Sequence, residues 1–428
     1  MLASTMKFEI YTLKNGMRVL LAPSSAAESV TVMIMTGTGS RHENKAENGM
    51  AHFLEHMLFK GTKKRKTARA ISEELDGVGG QFNAFTGKDH TAYYAKVDKR
   101  HFQTALEVIS DIFLNPTLPA TEIEKERGAI IEEINMYEDM PIRSVLNEAD
   151  KTLFGDDTPM GRTILGPKKN ISSFTREEFL AYLNRNYVAS NSALCITGSF
   201  SKTKALKEAR RIFATMRTGD TPVHVPHTHD QKEPRVKVKY KKTDQTHFVL
   251  SVPSFPLNHK DEFVAEVLAA VLGGGMSSRL FTEIRDNRGL AYYVKADNDA
   301  YDDIGVLYMR AGVANEKTEK AVELVVKEMR KLANTAISTP ELKKAKEYLK
   351  GTAALSLETT DAQADYIGYA VLVRRSVHGL EEFNRKVDAV TARQIYVVAK
   401  KLFTTDKLNL TIVGPHKDEA KFKRLLKI

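Results

Sequence analysis

SFTREEFLAYLNRNYVASNSALCITG, residues 173–198, returns in altered form at 389–414 as AVTARQIYVVAKKLFTTDKLNLTIVG. Laid over each other, the two stretches put Thr175 on Thr391, Leu194 on Leu410 and Gly198 on Gly414, a shift of 216 residues. Upstream, ALEVISDIF (105–113) matches AVELVVKEM (321–329), and ATEIEKERGAIIEEI (120–134) matches STPELKKAKEYLKGTAA (338–354), in the same order and at similar offsets. Self-similarity at a fixed offset marks a unit written twice, here of about 210 residues, an ordinary domain size. Between the copies, TGDTPVHVPHTHDQKEP (218–234) has three prolines and no helical or strand period, so it reads as a linker. The expected domains are 1–217 and 235–428.

Each copy alternates strands with helices. MRVLLA and VTVMIMTG are apolar and rich in β-branched residues, DHTAYYAKV alternates, and NSALCITG closes the first copy. Helical periodicity covers 49–59, ARAISEELDGVG, 101–114 and 121–138. Strands joined by hairpin-length turns and interspersed with helices predict an α+β fold: two homologous domains, each a mainly antiparallel sheet packed with helices.

With 428 residues, 42% of them hydrophobic and 28% charged, the chain can bury sizeable cores. Its formal charge of +10 invites a nucleic-acid reading, but the excess is spread thinly: 29 basic against 26 acidic residues in 1–214, and 35 against 28 in 215–428. KKRK (63–66) reads as a solvated face, and no zinc-finger or RNA-binding pattern accompanies it, so no nucleic-acid partner is expected. No run reaches the 18 or so apolar residues that span a bilayer, and MLASTMKFEIYTLKNG lacks a leader's apolar stretch. These features predict a cytoplasmic protein without a membrane partner. The lone Cys195, in LCITG, reads as buried packing.

HFLEH, His52 to His56, carries the chemistry. In a helix, positions i and i+4 share a face, so two imidazoles can close on one ion while Glu55 leans over the same face. Zinc takes such nitrogen ligands, and a carboxylate beside a metal-bound water can accept its proton. The apolar residues around them, Met50, Ala51, Phe53, Leu54, Met57, Leu58 and Phe59, argue against a simple surface helix. A catalytic zinc needs a third protein ligand, and EIEKERGAIIEEINMYE supplies candidates. With Ile123 at zero and about 100° per residue, Ile130 and Ile134 define a buried stripe near 0°. Glu126 and Glu133 then fall on its edge, while Glu132 points to water. Geometry leaves both Glu126 and Glu133 open.

HFLEH with MLFKGT after it, GGQFNAFTGKDHTAYYAKV, ERGAIIEE and MYEDMP together resemble the pitrilysin-like family of inverted zincins. They are most similar to its processing-peptidase branch of short two-domain members. The resemblance continues through LFGDDTPMGRTILG (153–166) and LGGGMSSRLFTEIRDNRGLAYYV (272–294), nearly the whole chain. It implies one zinc ion per chain, held by His52, His56 and Glu133, with Glu55 as general base and Glu126 beside the ligands, where an acceptor would orient one of them. It also implies that the domains form half of a clamshell, and that a homodimer is the simpler assembly.

In the second copy, a shift of 214 brings His52, Glu55 and His56 onto Glu266, Ala269 and Ala270, so no zinc can be held there. Arg285 and Tyr292 match instead the family's arginine and tyrosine that reach the metal centre; by residue type alone Arg288 and Tyr293 would serve equally. Such donors suit the oxyanion of a tetrahedral intermediate. The strand QFNAFTG could pair its main chain with an extended peptide, with Asn83 and Ala84 nearest the reacting bond. His224, His227 and His229 read as solvated linker, and Gly273, Gly274 and Gly275 as a tight turn. The expected function is a zinc endopeptidase acting on unfolded peptides in a closed chamber. The alternative is a non-catalytic assembly subunit on the same fold.

Overall fold

The computed structural model describes residues 7–376 and 379–428; residues 1–6, part of the start read above for a leader, lie outside the described residues. Six strands form one sheet: β1 (Glu9–Thr12), β2 (Arg18–Pro23), β3 (Ser29–Thr36), β4 (Gln81–Thr86), β5 (Thr91–Asp98) and β6 (Ser192–Gly198), in the order β1-β2-β6-β3-β5-β4. Five form another: β7 (Arg235–Tyr240), β8 (Gln245–Ser254), β9 (Ala291–Ala300), β10 (Gly305–Ala314) and β11 (Asn409–Gly414), in the order β7-β11-β8-β10-β9. Without β1 the two orders are the same. Each has one parallel pair, β2 with β6 or β7 with β11, and is otherwise antiparallel out to an edge strand, β4 or β9. The α+β, mainly antiparallel, twice-built reading therefore holds.

The aligned residues occupy equivalent places. Leu194 lies between Val19 and Ile34, and Leu410 between Val236 and Leu250. Thr175 and Thr391 each cap a helix: the hydroxyl accepts from the third residue's N–H, and Glu178 or Gln394 returns the bond to the threonine N–H. This reciprocal box satisfies two of the amides that a helix start leaves unpaired.

The compact units are discontinuous in sequence. One comprises 1–134, 163–225 and 355–380; the other comprises 135–162, 226–354 and 381–428. They differ from a cut at the linker by two helical segments. The helix Thr360–Leu372 comes from the second copy but belongs to the first unit, where Ala364, Ile367, Val371 and Leu372 cover Leu20, Met33, Met35 and Cys195. Because side chains alternate along β3, Val32 and Ile34 face the sheet's other side. The helix Pro141–Phe154 comes from the first copy but belongs to the second unit, where Val145, Ala149 and Leu153 cover Val249, Val306 and Val413. The other face of the second sheet, with Phe248, Leu250 and Val252, packs on helices Glu262–Gly273, Thr318–Asn334 and Ala392–Leu402. Gly273 is needed there, since an added Cβ would lie 2.2 Å from Ala296 N on β9.

Two surface readings are corrected. In KKRK only the lysines are solvated; Arg65 is buried, with Glu74 at 2.6 Å and Asp111 at 2.9 Å, so the run is a surface loop pinned by two ion pairs of its buried arginine. The linker is irregular as expected, yet His224, His227 and His229 are half-buried rather than solvated. The His227 ring stands edge-on to Phe154 at 5.0 Å, and its backbone N–H donates to Asp303 at 2.7 Å. Burial then holds His229 down to a pKa of about 4.

Candidate metal centre

The motif helix, Met50–Met57, begins at Gly49, whose φ of +102° strains any L side chain. An added Cβ would also meet Ile171 Cδ1 and Leu165 O at 2.8 Å. Glu43 caps this start: its Oε2 accepts from Gly49 N–H at 2.9 Å and its Oε1 from Ala51 N–H at 2.7 Å. A buried carboxylate there satisfies two orphan donors and complements the helix dipole. Phe53, Leu54 and Met57 anchor the helix in the core, which leaves the histidine face toward the helix Ala120–Asp139. On that helix Ile123, Ile130 and Ile134 are buried, Glu126 is buried beside them, Glu133 is half-buried and Glu132 is exposed, as the helical wheel requires.

His52 Nε2 and His56 Nε2 each lie 3.5 Å from Glu133 Oε2, and the three atoms are mutually within 4.8 Å. That separation is longer than an ordinary N–H···O hydrogen bond. It matches the edge of a tetrahedron about 3.4 Å long that ligand distances of about 2.1 Å around zinc generate. Two neutral imidazoles and a carboxylate are also the donor types of a catalytic zinc site. The residues therefore fit the ion.

Burial, then the neighbouring His56, pulls His52 down to a pKa of about 4. Burial works against charge on His56 too, but the hydrogen bond to Glu126 and the nearby Glu133 carboxylate outweigh it and push His56 up to about 9. The facing His56 in turn lowers Glu133. Glu126 is likewise lowered although burial opposes it, because His56 and Lys60 both bond to it.

His56 Nδ1–H donates to Glu126 Oε1 at 2.8 Å, which fixes the ring so that Nε2 faces the cluster. Lys60 Nζ meets the other oxygen, Oε2, at 2.5 Å. Glu55 is raised above the ordinary carboxylate range by burial, against the effect of a hydrogen bond from Thr86 Oγ1 to Oε2 at 2.6 Å. Thr86 ends β4, which pairs with β5 through Asn83 opposite Tyr94 and Ala84 opposite Tyr93. β4 is the sheet's edge; Asn83 is exposed and Ala84 buried.

In the second unit, Arg285 and Tyr292 are brought together. The Arg285 guanidinium lies 4.9 Å from the Phe281 ring and 5.9 Å from the Tyr292 ring, and Tyr292 is 75% exposed. The chemically equal choices are engaged elsewhere: Arg288 is 2.6 Å from Glu283, and Tyr293 is bonded to His247 at 3.0 Å. Burial pushes the Tyr293 phenol up to about 12. Ala269 and Ala270 are buried in apolar packing, and Glu266 accepts from Asn298 Nδ2 at 2.8 Å.

Sequence reasoning missed Glu43, Thr86 and Lys60. Lys60 had a signal, since 52, 56 and 60 are spaced by four and make one row on the helix. Glu43 and Thr86 reach the helix from a loop and a strand, and no local period announces them.

Comparison with known proteins agrees with this anatomy. Residues 18–168 match the family model "Insulinase (Peptidase family M16)", and residues 173–349 match "Peptidase M16 inactive domain". A Bacillus subtilis protein described as the uncharacterized zinc protease YmxG is 35% identical over 407 residues, 95% of this chain and 98% of that protein. A Rickettsia felis protein described as an uncharacterized zinc protease is 34% identical, covering 96% and 98%. The crystal structure of a protease from Helicobacter pylori shares the fold with a TM-score of 0.88 at 24% identity, over 96% of this chain and all of that one. Both sheets, the HFLEH helix and the two matched domain models thus lead to one assignment: the chain belongs to peptidase family M16, the pitrilysin-like family.

Proposed function

We propose that this protein is a zinc-dependent endopeptidase that hydrolyses unfolded peptides or flexible protein segments. The observation that carries the proposal is the convergence of His52 Nε2, His56 Nε2 and Glu133 Oε2 on one point, with Glu55 on the same helix. Zinc bound there supplies Lewis-acid polarisation of the scissile carbonyl and a lowered pKa for water. Glu55 takes the proton of the attacking water and returns it to the leaving amine. The Thr86 bond occupies Glu55 Oε2 and leaves Oε1 for that proton. The edge of β4 offers its main chain to an extended substrate, with Asn83 and Ala84 beside the reacting bond; this pairing ignores side-chain identity. Arg285 and Tyr292 are proposed as donors to the oxyanion. Enclosure of the substrate in a chamber, one zinc per chain, a cytoplasmic setting and a homodimer complete the proposal.

A quenched random-peptide assay tests it with wild type, Glu55→Gln and chelator-treated protein. Cleavage by zinc-loaded wild type, lost in both controls, is the expected result. No cleavage by zinc-replete wild type refutes the endopeptidase and favours a non-catalytic assembly subunit. His52→Ala should lose the metal, and full zinc occupancy in that variant would contradict the ligand assignment.

A further inference from the structure

On the motif helix and the turn that continues it, His52, His56 and Lys60 stand at i, i+4 and i+8, one row along a single face. Glu133 and Glu126, seven apart on the facing helix, meet that row in reversed chain order. Glu133 lies against His52 and His56, and Glu126 against His56 and Lys60. Glu126 is thus shared: Oε1 accepts from His56 Nδ1–H at 2.8 Å, and Oε2 is 2.5 Å from the Lys60 ammonium. The side chains of Glu126 and Lys60 are only 11% and 24% exposed, so water does little to replace either partner.

We propose that Lys60 is a positioning residue for the metal centre, pinning the Glu126 carboxylate so that His56 keeps the ring orientation and tautomer that present Nε2 to zinc. A carboxylate with one oxygen bonded to the ring and the other unpaired can swing about its stem toward solvent, and the imidazole follows it. Held at both oxygens, it cannot turn. The ammonium also offsets the negative charge that Glu126 and Glu133 would otherwise bring together. It does this from outside the donor set, because its partner is Glu126 and not a ligand. The inference rests on the reading of His52, His56 and Glu133 as a zinc site, and it adds a residue two shells from the ion to that site.

The test measures zinc affinity by competition with a chelator of known affinity, in the full-length protein. Outer-shell partners of a ligating histidine are typically worth 10–100-fold in metal affinity, so Lys60→Met should weaken zinc binding about tenfold. Lys60→Arg, which keeps a cation over Glu126, should restore it to within about threefold of wild type. A matching change in the absorption spectrum of the cobalt-substituted protein, present in Lys60→Met and absent in Lys60→Arg, would report the displaced ligand directly. Thermal unfolding of the metal-free variants separates positioning from misfolding, with Lys60→Gln as a second neutral variant. Wild-type affinity in both neutral variants overturns the proposal, as does a loss in Lys60→Arg equal to that in Lys60→Met. If wild type binds zinc yet cleaves no peptide, the proposed function fails while this test still stands. If wild type binds no zinc, both fall.

Discussion

Among the described residues Glu55 takes one side-chain hydrogen bond, from a residue 31 positions away, and that bond separates two roles that mutation can tell apart. In the proposed mechanism, Glu55→Gln keeps shape and zinc but removes the proton acceptor. Cleavage should fall by about 10²–10⁴-fold, the range of general acid–base catalysis, with zinc content unchanged by metal analysis. Thr86→Val leaves the carboxylate in place but strips its donor. A hydrogen bond to a charged group is worth about 1.5–3 kcal/mol, so kcat should drop about tenfold or more while KM stays put. Thr86→Ser should recover it. A Thr86→Val enzyme with wild-type kcat would show that the orientation of Glu55 is set by packing alone. HFLEH announced Glu55 and the two histidines because three residues in five consecutive positions leave the geometry little freedom. Thr86 was silent because it is one threonine among many until the β4–β5 hairpin folds over the helix.

At the scale of elements, the motif helix has only eight residues and depends on how its ends are met. Short helices are marginal on propensity alone, and this one starts at a left-handed glycine with no side-chain cap of its own. Glu43, 2% exposed, supplies the cap from outside. Glu43→Ala should destabilise the first unit by about 2 kcal/mol in denaturant titration, a lost cap plus two stranded amides. The same change should weaken zinc binding, since both histidines ride on this helix. Unaltered stability would mean that core contacts of Phe53 and Leu54 hold the helix unaided. The buried stripe of the facing helix was legible by simple rotation from Ile123. The choice between its edge glutamates was not: rotation placed Glu126 and Glu133 alike, and only the axial offset against the motif helix brings Glu133 to the donor point and Glu126 to the back of His56.

For the molecule as a whole, each sheet is completed by a helix from the other sequence copy. A change written in the second copy should therefore loosen the first unit, and the reverse. Ile367→Ala removes buried side-chain volume over Met35 and Cys195, so it should cost the first unit about 2–5 kcal/mol. Hydrogen exchange should quicken in β3 and β6 before β8 and β11. Leu153→Ala should quicken β8 and β11 first. If Ile367→Ala instead opened the second sheet, the division of the chain described above would be wrong.

The amino-acid sequence by itself determined the duplicated α+β plan, the position of the metal motif and the loss of that motif in the second copy. These follow from short-range periodicity and from one fixed offset, both of which survive without coordinates. It did not determine which copy supplies the covering helix of each sheet, that Arg65 is internal, or that Glu43, Thr86 and Lys60 serve the motif helix. Those facts depend on which surfaces meet once the chain is folded. A helix's apolar stripe specifies that it must be covered but not by what, and a lone polar residue shows its use only when its partner arrives from elsewhere.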